Sequence, residues 1–122
     1  MKIKSFRQLY AWQEAHKLAL SVYSITKDFP KEEKFGLIGQ MRRAVVSITS
    51  NISEGFSRRN KREKAQFLYV SHGSLTELEN QLLLSRDLDY ISPKQLDELL
   101  AQSMLTSKLI NGLIKSSKLL ST

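Results

Sequence analysis

Apolar residues recur at three- and four-residue spacing in four stretches of the chain, each bounded by residues that start or stop helices. The spacing predicts a first helix from about Gln8 to Asp28, with Leu9, Trp12, Ala15, Ala19, Val22 and Ile25 or Thr26 on its inner side. Phe29-Pro30 closes it, because proline disfavours helical geometry in the residue before it and suits the first turn of the next helix. A second helix is expected from about Lys31 to Phe56, with Glu32 and Glu33 complementing the positive end of its dipole. Its stripe is Leu37, Met41, Ala44 with Val45, Ile48 and Ile52, closing on Gly55.

Asn60 supplies an N-cap for a third helix, and Glu63 stands three positions later as in a capping box. That helix is expected to reach about Leu88, burying Phe67, Leu68, Ser71, Leu75, Leu78 and Leu82. Ser92-Pro93 repeats the start signal, and a fourth helix carries Leu96, Leu99, Leu100, Met104, Ile110, Leu113 and Ile114. Helices of about 20 to 28 residues are roughly 30 to 42 Å long, and similar lengths joined by short loops pack side by side in alternating directions. The expected fold class is all-α, an antiparallel up-down-up-down four-helix bundle with crossings near ~20°.

Composition narrows this without changing it. With 122 residues and 41% hydrophobic content, residues 1–122 suit one domain with one core. Five glycines and two prolines leave few places to turn, as long elements require. The absence of cysteine excludes disulfides, thiolate ligands and a cysteine nucleophile, and fits a cytoplasmic location. Apolar runs fall far short of the ~20 residues that span a bilayer, so no membrane partner is expected. Neither His16 nor His72 has a second ligand at helical metal-site spacing, and no catalytic or cofactor-binding constellation is present, so no metal, no cofactor and no enzyme activity are expected.

Charge adds a candidate surface. The segment 42–64 holds seven basic residues (Arg42, Arg43, Arg58, Arg59, Lys61, Arg62 and Lys64) against two acids, a surplus of five where the whole chain has +7. Residues 77–98 run the other way, with six acids against two bases, which predicts a molecule polarised end to end. Arginines on a turn can grip phosphate through paired N–H groups, so the seven are candidates for contact with RNA or DNA. They include no helix-turn-helix, RNP or zinc-finger pattern that would name the nucleic acid.

The second helix also carries a polar stripe, Gln40, Arg43, Ser47, Asn51 and Glu54, at three- and four-residue spacing. If the second and third helices pair about a turn near Arg59, Asn51 lies close to Phe67, Ser47 near Ser71, and Arg43 near Ser74 and Glu77. The expected role is an interhelical hydrogen-bond ladder, with Gly73 allowing the backbones to approach, while Gly55 either ends the second helix or permits close packing. A ligand site between helices is the alternative. Trp12 and Phe29 are expected in the core, and Tyr10, Tyr23 and Tyr69 at a wet edge such as a subunit contact.

An ordered set of short motifs resembles a known family. Leu9-x-x-Trp12-Gln13-x-Ala15, Phe29-Pro30 with Glu33 and Gly36-Leu37, Gln40-x-Arg42-Arg43-Ala44, Ser47-Ile48, Asn51-Ile52-x-Glu54-Gly55, and Gly73-Ser74 with Glu77-Leu78-Glu79 and Gln81-Leu82 are similar to those of the bundle proteins encoded in intervening sequences of bacterial 23S rRNA genes. The match covers about residues 6 to 84, and Ser53 stands where alanine is usual. The resemblance implies a four-helix bundle assembling as a homopentameric ring. Through the related accessory variability determinant of diversity-generating retroelements, it also implies a basic ring that binds nucleic acid and a reverse transcriptase. The preferred expectation is therefore a non-enzymatic, self-assembling bundle with a nucleic-acid-binding surface. The alternative is a protein-interaction scaffold with no such role, and a third reading is an enzyme built on the Arg43, Ser47, Asn51 and Glu54 stripe.

Overall fold

The computed structural model describes residues 2–119. Four helices carry the chain: α1 (Tyr10–Thr26), α2 (Leu37–Ser57), α3 (Lys61–Asp87) and α4 (Pro93–Leu119), with short 3-10 turns at Phe6–Gln8 and Lys31–Glu33. Each helix packs on its two neighbours around a square, α1 on α2 and α4, and α3 on α2 and α4. The cross-helix contacts run in opposite chain directions: Ser47 meets Ser74 while Met41 meets Ser85, and Glu14 meets Gln102. The result is the expected antiparallel up-down-up-down four-helix bundle.

The core is the set of inner stripes, with Leu18, Met41, Ile48, Ile52, Leu75, Leu78, Leu82 and Ile110 among its fully buried side chains. The expected stripe of α2 is buried throughout. In α1 the buried line is Ala11, Ala15, Leu18, Val22 and Thr26, so Leu9, Trp12, Ala19 and Ile25 pack only at its margin. In α4 the inner line passes through Ser103 and Thr106, both fully buried, and Met104 points outward at 71% exposure. Apolar identity misplaces Met104 because inner positions on α4 are set by a 96, 99, 103, 106, 110, 114 repeat that two small polar residues share. Thr106 satisfies its hydroxyl locally by donating to the carbonyl of Gln102.

The start of α2 differs from the expected Lys31. Pro30 opens a 3-10 turn over Lys31–Glu33, and the helix proper begins at Leu37 after Gly36, whose φ and ψ are −110° and −112°. Glu33 acts across this gap, accepting a 3.2 Å hydrogen bond from the Leu37 N–H. Asn60 caps α3 as expected, its Oδ1 accepting from the N–H groups of Arg62 and Glu63. Ser92 caps α4 through the Gln95 N–H at 3.1 Å, while Gln95 Oε1 accepts from Ser92 N–H at 2.9 Å, a reciprocal capping box. The turn between α3 and α4 closes with Asp89 at φ 63°, the Asp89 N–H donating to Arg86 O and the Tyr90 N–H to Ser85 O. That is the Schellman arrangement, in a position that glycine usually takes.

Candidate functional site

Antiparallel packing brings the entry of α1, the α2–α3 turn and the last turns of α4 to one end of the bundle. Arg58, Arg59 and Arg62 are exposed there, and Lys61 and Lys64 are half-buried. Asn60 holds the turn by capping α3, and Arg58 lies over the ring of Phe67 with 4.7 Å from guanidinium carbon to ring centre. That stacking fixes the arginine stem and leaves the edge of the guanidinium, where its N–H groups lie, facing out.

Lys64 has a different task. Its ammonium donates to the carbonyls of Phe56 at 2.8 Å and Gly55 at 3.4 Å in the last turn of α2, the latter also accepting from the Arg58 N–H, and it sits 5.5 Å from the Phe56 ring. Burial among these neighbours lowers its pKa. Lys64 is thus a cap of α2 as well as a local positive charge.

Arg42 and Arg43 lie elsewhere. Fifteen residues separate Arg43 from Arg58, roughly 22 Å along a helix, so the seven basic residues form two groups. Arg42 is tied to α1: its Nε donates to Thr26 Oγ1 at 3.0 Å, Nη2 donates to Tyr23 O at 3.4 Å, and the guanidinium lies 4.6 Å over the Tyr23 ring. Arg43 is the exposed one of the pair.

The folding of the chain adds basic residues that the linear count missed. Arg7 sits in the 3-10 turn that packs against α2, Lys2 and Lys4 precede it, and Lys115 lies one residue before Ser116, which shares a hollow with Lys61 and Lys64. The only signal for them in the sequence is topological: in an even-numbered antiparallel bundle the entry to the first helix lies beside the turn between the second and third. At the opposite end, segments 27–34 and 86–98 hold five bases against seven acids and Arg42 reaches Tyr23 and Thr26 nearby, so that end is near neutral rather than strongly acidic.

The polar stripe of α2 is only partly a ladder. Ser47 pairs with Ser74 at 2.7 Å rather than with Ser71, whose hydroxyl donates instead to the carbonyl of Ile48 at 2.8 Å. Asn51 turns back on its own helix, donating to Ser47 O and Ser47 Oγ at 2.8 and 3.1 Å. Ser47 is half-buried, whereas Gln40 and Glu54, at the two ends of the stripe, are exposed. Backbone approach happens at Gly55, where a Cβ would stand 3.1 Å from Phe67 Cβ and 3.3 Å from Lys64 O. Gly73 plays no such part: it is exposed and a Cβ there meets nothing within 4 Å. Ser47 meets a residue three positions beyond the one that a pairing centred on Arg59 gives it, while Ser71 stays within one residue of that register at Ile48.

Four hollows of the described residues are lined without Ser47 or Asn51. Among the described residues no group of three His, Asp or Glu could hold a metal ion, and no helix is long and apolar enough to cross a membrane. His72 Nε2 lies 3.2 Å from Ser107 Oγ, and His16 stacks on Trp12 at 4.7 Å between ring centres.

Fold and charge together define a class: an all-α four-helix bundle, basic at one end. The profile of the 23S rRNA-intervening sequence protein family matches residues 7–112, and the chain belongs to that family. A crystal structure of a protein of unknown function from the S23 ribosomal protein family of Bacteroides thetaiotaomicron VPI-5482 is similar, with a TM-score of 0.79 at 24% identity, covering 86% of this chain and 95% of that one. That likeness establishes the shared fold. No curated protein matches the chain.

Proposed function

We propose that this protein is a non-enzymatic, self-assembling bundle whose basic end binds the phosphate backbone of RNA or DNA. The observation that carries the reading is the gathering of Arg58, Arg59, Arg62 and Lys61 with Arg7 and Lys115 at one end, from three separate parts of the chain. The ion pairs Lys17–Glu14 and Arg86–Asp87 lie away from it. A surface of this kind attracts any polyanion and binds it in a salt-dependent way. A reverse transcriptase or another enzyme bound to the same nucleic acid is the protein partner that fits.

Self-assembly is supported by the outer faces of α3 and α4. Tyr69, Val70, Leu83 and Leu84 on α3 and Met104 and Leu105 on α4 are exposed large apolar residues, and the bare backbone of Gly73 lies on the same helix. A closed ring, five-membered as the family resemblance implies, would cover such faces on every copy.

A salt series tests the nucleic-acid reading. Binding to RNA or DNA should weaken as salt rises, and Arg58→Glu, Arg59→Glu and Arg62→Glu combined should lower the slope of log affinity against log salt by about two to three. Absence of binding at low salt, or affinity indifferent to salt, favours the scaffold alternative. Light scattering tests the ring, and a monomer at micromolar concentration contradicts it. Met104→Glu should shift the assembly towards smaller species.

A further inference from the structure

Beside the basic turn lies a hollow of about 190 Å³, walled by Leu9 at the entry of α1, Ile52 of α2, Leu68 of α3 and Leu113 of α4. Phe56 adds the one aromatic wall. Among the described residues the polar lining comes from Lys61, Lys64, Ser116 and Ser117 with the Gly55 backbone, and no carboxylate lines it. An aliphatic interior bordered by ammonium groups matches a ligand with an apolar tail and an anionic head. The geometry points to a binding site for a medium-chain aliphatic carboxylate, its chain in the hollow and its carboxylate beside Lys64, with Lys61 adding charge.

Size sets the tail. An apolar cavity of about 150 Å³ takes up benzene, so this one suits roughly six to eight carbons. Lys64 sets the head. Two of its three N–H groups go to the carbonyls of Phe56 and Gly55, and the third remains to donate to an anion at the rim. Because burial already disfavours its charge, a carboxylate alongside returns the ammonium to a more favourable environment. The site uses the same end of the bundle as the proposed nucleic-acid surface, but it does not depend on the exposed arginines.

Calorimetric titration of the full chain with hexanoate, octanoate, decanoate and neutral octanol tests this. Affinity should rise about fourfold per methylene up to about eight carbons and then level off, and octanoate should bind at least ~10-fold tighter than octanol. Lys64→Met, which keeps the apolar stem, should erase the preference for octanoate over octanol. Leu113→Trp, which fills the hollow, should abolish binding of both. Octanol binding as tightly as octanoate, affinity indifferent to chain length, or unchanged binding in Leu113→Trp overturns the proposal. Should Leu113→Trp not fold, the chain-length series and Lys64→Met decide alone. At about 1 M salt, where exposed charges are screened, the triple Arg58, Arg59 and Arg62 reversal should leave octanoate affinity within a few-fold, which separates failure of this site from failure of the nucleic-acid reading.

Discussion

Tyr90 donates a 2.7 Å hydrogen bond through its hydroxyl to Glu33 Oε2, while Glu33 Oε1 accepts from the Leu37 N–H. One carboxylate thereby joins the turn after α3 to the start of α2, and the Phe29 ring packs 5.1 Å from that of Tyr90 to close the same end. The hydrogen bond to Glu33 raises the Tyr90 pKa, with burial and the nearby Glu33 and Glu32 charges adding to it. A raised folded-state value means that the protonated phenol stabilises the fold below the unfolded value near ~10, and that this contribution is lost as pH climbs through the folded value. Tyr90→Phe should lower the melting temperature at neutral pH and remove that part of the alkaline loss, as pH-dependent thermal denaturation would show.

The two glycines on either side of the α2–α3 contact should respond in opposite senses. Gly55→Ala places a methyl 3.1 Å from Phe67 Cβ and 3.3 Å from a backbone oxygen, and should cost about 1–3 kcal/mol through overpacking. Gly73→Ala meets open space in mid-helix and should stabilise the single bundle by about 0.5–1 kcal/mol. Urea denaturation measures both. A loss of assembly in Gly73→Ala, alongside the gain in bundle stability, would locate a subunit contact on that face of α3.

Asp89 holds a left-handed backbone that costs an L-residue about 1–2 kcal/mol, less for a short polar side chain. Asp89→Gly should therefore raise stability by up to about 1 kcal/mol, the gain being trimmed by the greater freedom of glycine in the unfolded chain. A denaturation midpoint that falls instead would mean that the Asp89 side chain holds the turn.

Arg42 belongs to the scaffold. Its bonds to Thr26 and Tyr23 and its stacking on the Tyr23 ring join α1 to α2. Arg42→Ala should cost about 1–2 kcal/mol of stability and leave nucleic-acid affinity at fixed salt nearly unchanged. Equal losses of affinity for Arg42→Ala and Arg59→Ala would contradict the division of the basic residues into two groups.

Helix order, direction and most of the core were legible in the sequence because capping residues and apolar spacing act locally. Asn60 and Ser92 start their helices as their residue types require, and the α2 stripe is buried at every expected position. The misreadings arise where tertiary packing overrides local pattern. Ser103 and Thr106 occupy inner positions of α4 while Met104 faces out, and hydrophobicity alone cannot assign them. Glu33, not the proline turn, sets the beginning of α2 by accepting from Leu37, a bond that no periodicity shows. Part of the candidate site was equally hidden: Arg58 to Lys64 stand out as a charge run, but Arg7 and Lys115 join them only once the bundle closes, and Arg42 leaves them once its partners on α1 are in place.

An even number of alternating helices has a practical side. Because α1 enters and α4 leaves at the basic end, a fluorophore or affinity tag fused at either side of the domain hangs beside the surface that would meet nucleic acid. The exposed Leu88-Asp89 turn, at the far end of the bundle, is the place from which a probe can report on binding without standing in its way.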